Sequence, residues 1–122
     1  MGSRGQQQQQ QQQQIFRTTM FKVPDPANQQ KMVEAYDRLA QEQKKDGKSY
    51  ILYCCAGAAS PDQRSKGYTV VANMKFASLD DMNYYDNECP AHASLRKAGG
   101  GFGVQEPPLV VYFEGQPSLM VN

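Results

Sequence analysis

The 122 residues include no tryptophan, three cysteines and a single histidine, His92. One imidazole and scattered thiols do not repeat at the spacing of a metal centre, so neither a metal nor another cofactor is expected. Cys54 and Cys55 are neighbours, and on a strand neighbouring side chains point to opposite faces, which stops them acting together as ligands or as a redox pair. With only Cys89 besides, there is no disulfide framework, and a reduced, cytoplasmic protein is expected. A charge excess is lacking too: 13 Lys and Arg face 12 Asp and Glu, for a net charge of +1. Lys44-Lys45 and Arg96-Lys97 are short basic pairs of the kind found at solvated helix ends, so nucleic acid is not an expected partner. No apolar run approaches the ~20 residues that cross a bilayer, and no membrane partner is expected. The opening MGSRG and nine glutamines lack the apolar core of a secretory signal.

What is present reads as one domain over 15–115, between a disordered Gln-rich tail (1–14) and a loose C-terminal end (116–122). The glutamine run Gln6–Gln14 has no apolar face to offset its ordering entropy. "IFRTTMFKV" (15–23) is rich in β-branched and aromatic residues and predicts a strand. Asp25 as N-cap and Pro26 at the first helical position open a helix over about 27–45, with Val33, Tyr36, Leu39 and Ala40 at helical spacing and Gly47 as terminator. Strands follow over 49–58 and 68–76, the second placing Tyr68, Val70, Ala72, Met74 and Phe76 on one face. Ser78 and Asp81 form a capping-box-like start to a second helix, which Pro90 ends or kinks because Cys89 is biased out of helical geometry. "KAGGGFG" (97–103) predicts a flexible connection, and "PPLVVYFEG" (107–115) a last strand.

The order βαββαβ predicts an α+β, ferredoxin-like fold: a four-stranded antiparallel sheet with both helices on one face. The other face is the informative one. Strands two and four carry apolar residues on both sides, as in Ile51, Leu52 and Tyr53 or Leu109, Val110 and Val111. An uncovered sheet of that composition needs a cover. The expectation is a homodimer closing a barrel-like cavity between two sheets, able to hold a small apolar ligand.

"KGYTVVANMKFASLDDMNYYDNECPAH" (66–92) resembles the signature stretch of stress-responsive dimeric α/β-barrel (Dabb) domains, and "FRTTMFKV" resembles their first strand; the similarity runs over about 15–114. The resemblance implies a dimeric ferredoxin-like barrel. It extends to olivetolic acid cyclase-like proteins, cofactor-free enzymes in which the Pro-Ala-His histidine acts as general base beside a helical tyrosine. The matching residues are His92 and Tyr85. Arg17 stands where many members have a first-strand histidine, and glycines follow His92 where members continue a helix.

A lone imidazole with an ordinary pKa of about 6.5 suits a cofactor-free aldol or decarboxylation step. A buried tyrosine hydroxyl can hold a carbonyl or developing enolate. His92 and Tyr85 are therefore the candidate catalytic pair, and Tyr36, Tyr53, Tyr68 and Phe76 the candidate substrate-binding aromatics. Packing and helix capping are the competing roles for all of them. Two functions follow: a stress-response barrel that binds a small molecule or nothing, or a cofactor-independent polyketide cyclase/decarboxylase-like enzyme.

Overall fold

A computed structural model describes residues 13–118; of the two expected tails, residues 1–12 and 119–122 lie outside the described part. The elements are β1 (Gln14–Lys22), α1 (Pro26–Glu42), β2 (Ile51–Ala58), β3 (Val70–Phe76), α2 (Leu79–Asn87), α3 (Pro90–Gly99) and β4 (Gln105–Gly115), with one 3₁₀ turn at Gln63–Ser65. The sheet order is β2-β3-β1-β4, antiparallel throughout. This is the ferredoxin-like α+β fold expected, with one helix more than the sequence suggested. Among the described residues no helix is long and apolar enough to cross a membrane.

Period-two alternation sets the two faces of the sheet. Ile15, Phe21, Val70, Ala72, Met74 and Phe76 point beneath the helices, each at most 7% exposed. Burying the larger of these side chains, Ala72 excepted, contributes roughly 1.5–3 kcal/mol apiece. Met32, Ala35, Tyr36 and Leu39 of α1 and Met82 and Tyr85 of α2 close that core. Leu79 does not join them, because it lies at the first turn of α2 and is 40% exposed.

Asp25 caps α1 by accepting from the Ala27 backbone N–H at 2.9 Å, and Ser78 caps α2 by accepting from Asp81 N–H at 3.1 Å. Helix α1 stops at Glu42, earlier than 45, because Gln43 turns out of helical geometry. The Gln43 Oε1 atom accepts from Tyr50 and Ile51 N–H at 2.9 and 3.0 Å, tying the helix end to β2. Lys44 and Lys45 then belong to a tight reversal in which Asp46 and Gly47 both have positive φ (53° and 78°). Asp-Gly is the dipeptide that a type I′ turn favours, so Gly47 serves this turn and not the helix end.

Pro90 ends α2 and starts α3, where its missing N–H costs nothing at the first helical position. The stretch expected to be a flexible connection is therefore helical up to Gly99, and only 100–103 form a turn. Pro107 and Pro108 lie inside β4, tolerated because β4 is an edge strand. The helix-free face carries Tyr53, Leu109, Val111 and Phe113, between 39 and 62% exposed. Phe16 stacks on Phe113 there, with ring centroids 5.1 Å apart.

Candidate functional site

The cavity that holds His92 lies on the helix side of the sheet, within a single chain, and not on the face where the inter-sheet cavity is expected. It is a cleft of about 440 Å³ beneath the β1–β4 edge. Phe21, Met32, Leu95, Val104, Pro108 and Val110 supply an apolar wall. Arg17, Thr19, Tyr36, Asp86, His92 and Arg96 supply the polar groups. An apolar cleft with a few convergent polar side chains is the usual form of a small-molecule site.

His92 owes its position to the break between α2 and α3. Past the end of α2, Glu88 and Cys89 N–H both bond to the Tyr84 carbonyl, at 2.8 and 2.9 Å. The Tyr85 carbonyl is left without its i+4 partner, one of the orphan acceptors of a helix end. Pro90 then starts α3, and His92, in its first turn, comes back over α2. Its Nδ1 lies 2.8 Å from the Tyr85 oxygen. A carbonyl only accepts, so Nδ1 carries the proton and the neutral ring keeps its free lone pair on Nε2.

The imidazole lies flat on the Tyr85 ring, with centroids 3.7 Å apart and planes within 8°. Burial pulls the His92 pKa below the ordinary imidazole value, opposed by the bond to the Tyr85 carbonyl. The ring is therefore neutral near pH 7. A neutral imidazole with one nitrogen oriented by a fixed acceptor can act chemically as a general base.

Arg17 enters from the inward-facing stripe of β1 and is 7% exposed. Its Nη1 donates to Asp86 Oδ2 at 2.9 Å, and its guanidinium carbon lies 5.2 Å from the centre of the Tyr85 ring. Its Nε has no partner. Tyr36 is buried beside this group, and burial pushes its hydroxyl well above the usual phenol range, partly offset by the Arg17 charge. The Tyr36 and Tyr85 hydroxyls influence each other's ionisation. Burial likewise pushes the Cys54 thiol up to about 11, leaving it protonated and unreactive at neutral pH. Among the described residues no group of three His, Cys, Asp or Glu could hold a metal ion.

The six aromatic and histidine candidates thus part company. His92 and Tyr36 line the cleft, with Tyr85 directly behind the imidazole. Phe76 is fully buried and packs against Tyr50 and Tyr85. Tyr68 lies under Lys22, near the start of β3. Tyr53 is on the helix-free face, where Lys75 sits between its ring and that of Phe16, at 5.2 and 5.4 Å. Arg17 and Asp86 were not among the candidates. The alternation Ile15, Arg17, Thr19, Phe21 already places Arg17 inward, and a cation on an inward stripe is the sequence signal for it.

The profile of the stress responsive A/B barrel domain matches residues 15–102. A fusaristatin A biosynthesis cluster protein of Gibberella zeae is 38% identical over 102 residues, spanning 84% of this chain and 73% of that protein. Among solved structures, a dimeric protein of unknown function and ferredoxin-like fold from Bacteroides fragilis superposes with a TM-score of 0.66 at 18% identity, over 84% of this chain and 96% of that one. A monooxygenase from Streptomyces coelicolor, solved with nanaomycin D, gives 0.61 at 22% identity, over 93% of this chain and 96% of that one. The likeness to these two structures is one of fold.

Proposed function

The chain belongs to the stress-responsive A/B barrel domain family, and on that footing we propose that it is a cofactor-independent biosynthetic enzyme acting on a small, largely apolar carbonyl compound in the His92 cleft. The observation that carries the reading is the Nδ1–H bond of His92 to the Tyr85 carbonyl, which leaves the Nε2 lone pair free on a residue that lines the cleft. In the reaction, Nε2 removes a proton from the carbon next to a carbonyl. The C–H electron pair moves onto the carbonyl oxygen as the enolate forms; the enolate carbon then attacks a second carbonyl of the same molecule, and the alkoxide so formed takes the proton back from the His92 imidazolium. Tyr36, protonated throughout, is the donor for the developing oxyanion. The relative from a biosynthesis cluster supports this choice over a purely structural role.

The test compares the wild type with His92→Phe on linear poly-β-keto acids bearing alkyl or aryl tails, which carry the second carbonyl the enolate attacks, following cyclised products by mass spectrometry. Phenylalanine keeps the stack on Tyr85 and removes the base, so product formation falls at least about 100-fold. Equal rates in the two proteins would refute the assignment.

One observation favours a second reading, a stress-response barrel that binds without catalysis. The same Nδ1 bond caps α2, and capping alone is a sufficient reason for a histidine here. In either reading we propose that a second copy of the chain covers the helix-free face, a reading supported by its exposed aliphatic and aromatic residues.

A further inference from the structure

Among the described residues Arg17 is the one buried side chain with a permanent charge, and the protein gives it little. A guanidinium offers five N–H donors in a rigid fork. One oxygen of one carboxylate, Asp86 Oδ2, takes Nη1, while Nε is buried with no acceptor. Asp86 is itself 35% exposed, so water weakens its claim on the pair. Replacing such a pair by apolar residues often stabilises a core, so a cation kept on the inward stripe of a central strand calls for another reason.

The cleft supplies one. Two arginines, Arg17 and Arg96, line it against the single acidic residue Asp86. The rest of the lining is dominated by apolar side chains such as Met32, Leu95 and Val110. The Tyr85 ring holds both the Arg17 guanidinium and the His92 imidazole, so the charge and the base form one unit.

We propose that the molecule bound in this cleft is a small carboxylic acid with an apolar body, its carboxylate gripped by Arg17. This rests on the cleft being the ligand site, as the proposed function requires. A monoanion balances the wall, satisfies donors that Asp86 leaves idle and directs its apolar end along Met32 and Leu95.

The test uses octanoate and its uncharged counterpart octanol on the full chain at pH 7. His92 is the sole histidine, so its imidazole C–H resonance reports occupancy without assignment of the remaining spectrum. Octanoate shifts that resonance saturably, and octanol binds at least about tenfold more weakly, the range expected for a charged hydrogen bond. Arg17→Gln weakens octanoate about tenfold or more and changes octanol by less than about twofold. Asp86→Asn, at a partly exposed position, frees the guanidinium and tightens octanoate; this variant decides the matter if Arg17→Gln fails to fold. Octanol binding as tightly as octanoate, or octanoate affinity unmoved by Asp86→Asn, would overturn the carboxylate assignment while leaving the cleft intact as a ligand site. A resonance that responds to neither compound would overturn both.

Discussion

Replacing His92 with alanine separates what the ring holds from what it does. In the folded protein the Nδ1–H satisfies the Tyr85 carbonyl at 2.8 Å, and no backbone donor takes its place because Cys89 N–H is spent on Tyr84. Stranding a buried acceptor costs about 1–3 kcal/mol. The face-to-face contact with Tyr85 at 3.7 Å is lost as well, a further ~0.5–1.5 kcal/mol. His92→Ala is therefore expected to lose roughly 2–4 kcal/mol of stability, and His92→Phe, which keeps a ring on Tyr85, about 1–3 kcal/mol. With a urea dependence of about 1.5 kcal/mol per molar, the alanine variant unfolds at a midpoint about 1.3–2.7 M lower. The measurement is equilibrium urea unfolding followed by far-ultraviolet circular dichroism, at one fixed protein concentration so that subunit association does not shift the baseline. Should His92→Ala unfold within about 0.5 kcal/mol of the wild type, the ring does not cap α2. The proton on Nδ1 then loses its physical reason, and the assignment of Nε2 as base falls with it.

Three further outcomes follow from the same geometry. Because burial lowers the His92 pKa, the unfolded chain binds more protons than the folded one between the lowered value and about 6.5. Stability from this group is complete above that window and is lost as pH falls through it, so between pH 7.5 and 5.5 the wild type should lose more stability than His92→Phe; an equal loss in urea midpoints would contradict the shift. Gln43→Ala strands the Tyr50 and Ile51 N–H groups and should cost about 2–4 kcal/mol by urea unfolding, whereas a change under about 0.5 kcal/mol would show that water replaces the amide. On the helix-free face, Val111 is 52% exposed opposite Thr18. Sedimentation should give twice the 13.7 kDa chain mass for the wild type and that of a single chain for Val111→Glu, and a wild type that stays single at micromolar concentration would remove the dimer.

The fold was legible because its determinants are local. Strand alternation, Asp25 with Pro26, and Ser78 with Asp81 act over a few residues, and each is visible as spacing. Helix α3 is not legible in the sequence for a physical reason: Pro90 reads as a point where the second helix ends or kinks, although a proline whose N–H is unneeded both ends one helix and begins the next. The sequence puts the end of α1 late because Lys44 and Lys45 suit a helix terminus by charge. The competing claim of Gln43 on the β2 backbone is a contact between segments and leaves no periodic trace.

The site divides along the same line. The sequence by itself determined that one imidazole exists, that a proline two residues earlier redirects the chain, and that Tyr85 shares the inward face of its helix with Met82. Only the tertiary structure decided which side of the sheet they occupy. It set Arg17 from β1 and Asp86 from α2 2.9 Å apart across 69 residues, and it left Tyr53, Tyr68 and Phe76 outside the cleft. Side-chain direction along one element follows from backbone geometry and can be read one residue at a time. Which elements face each other depends on how all their apolar stripes are buried together, and that is a property of the assembled chain.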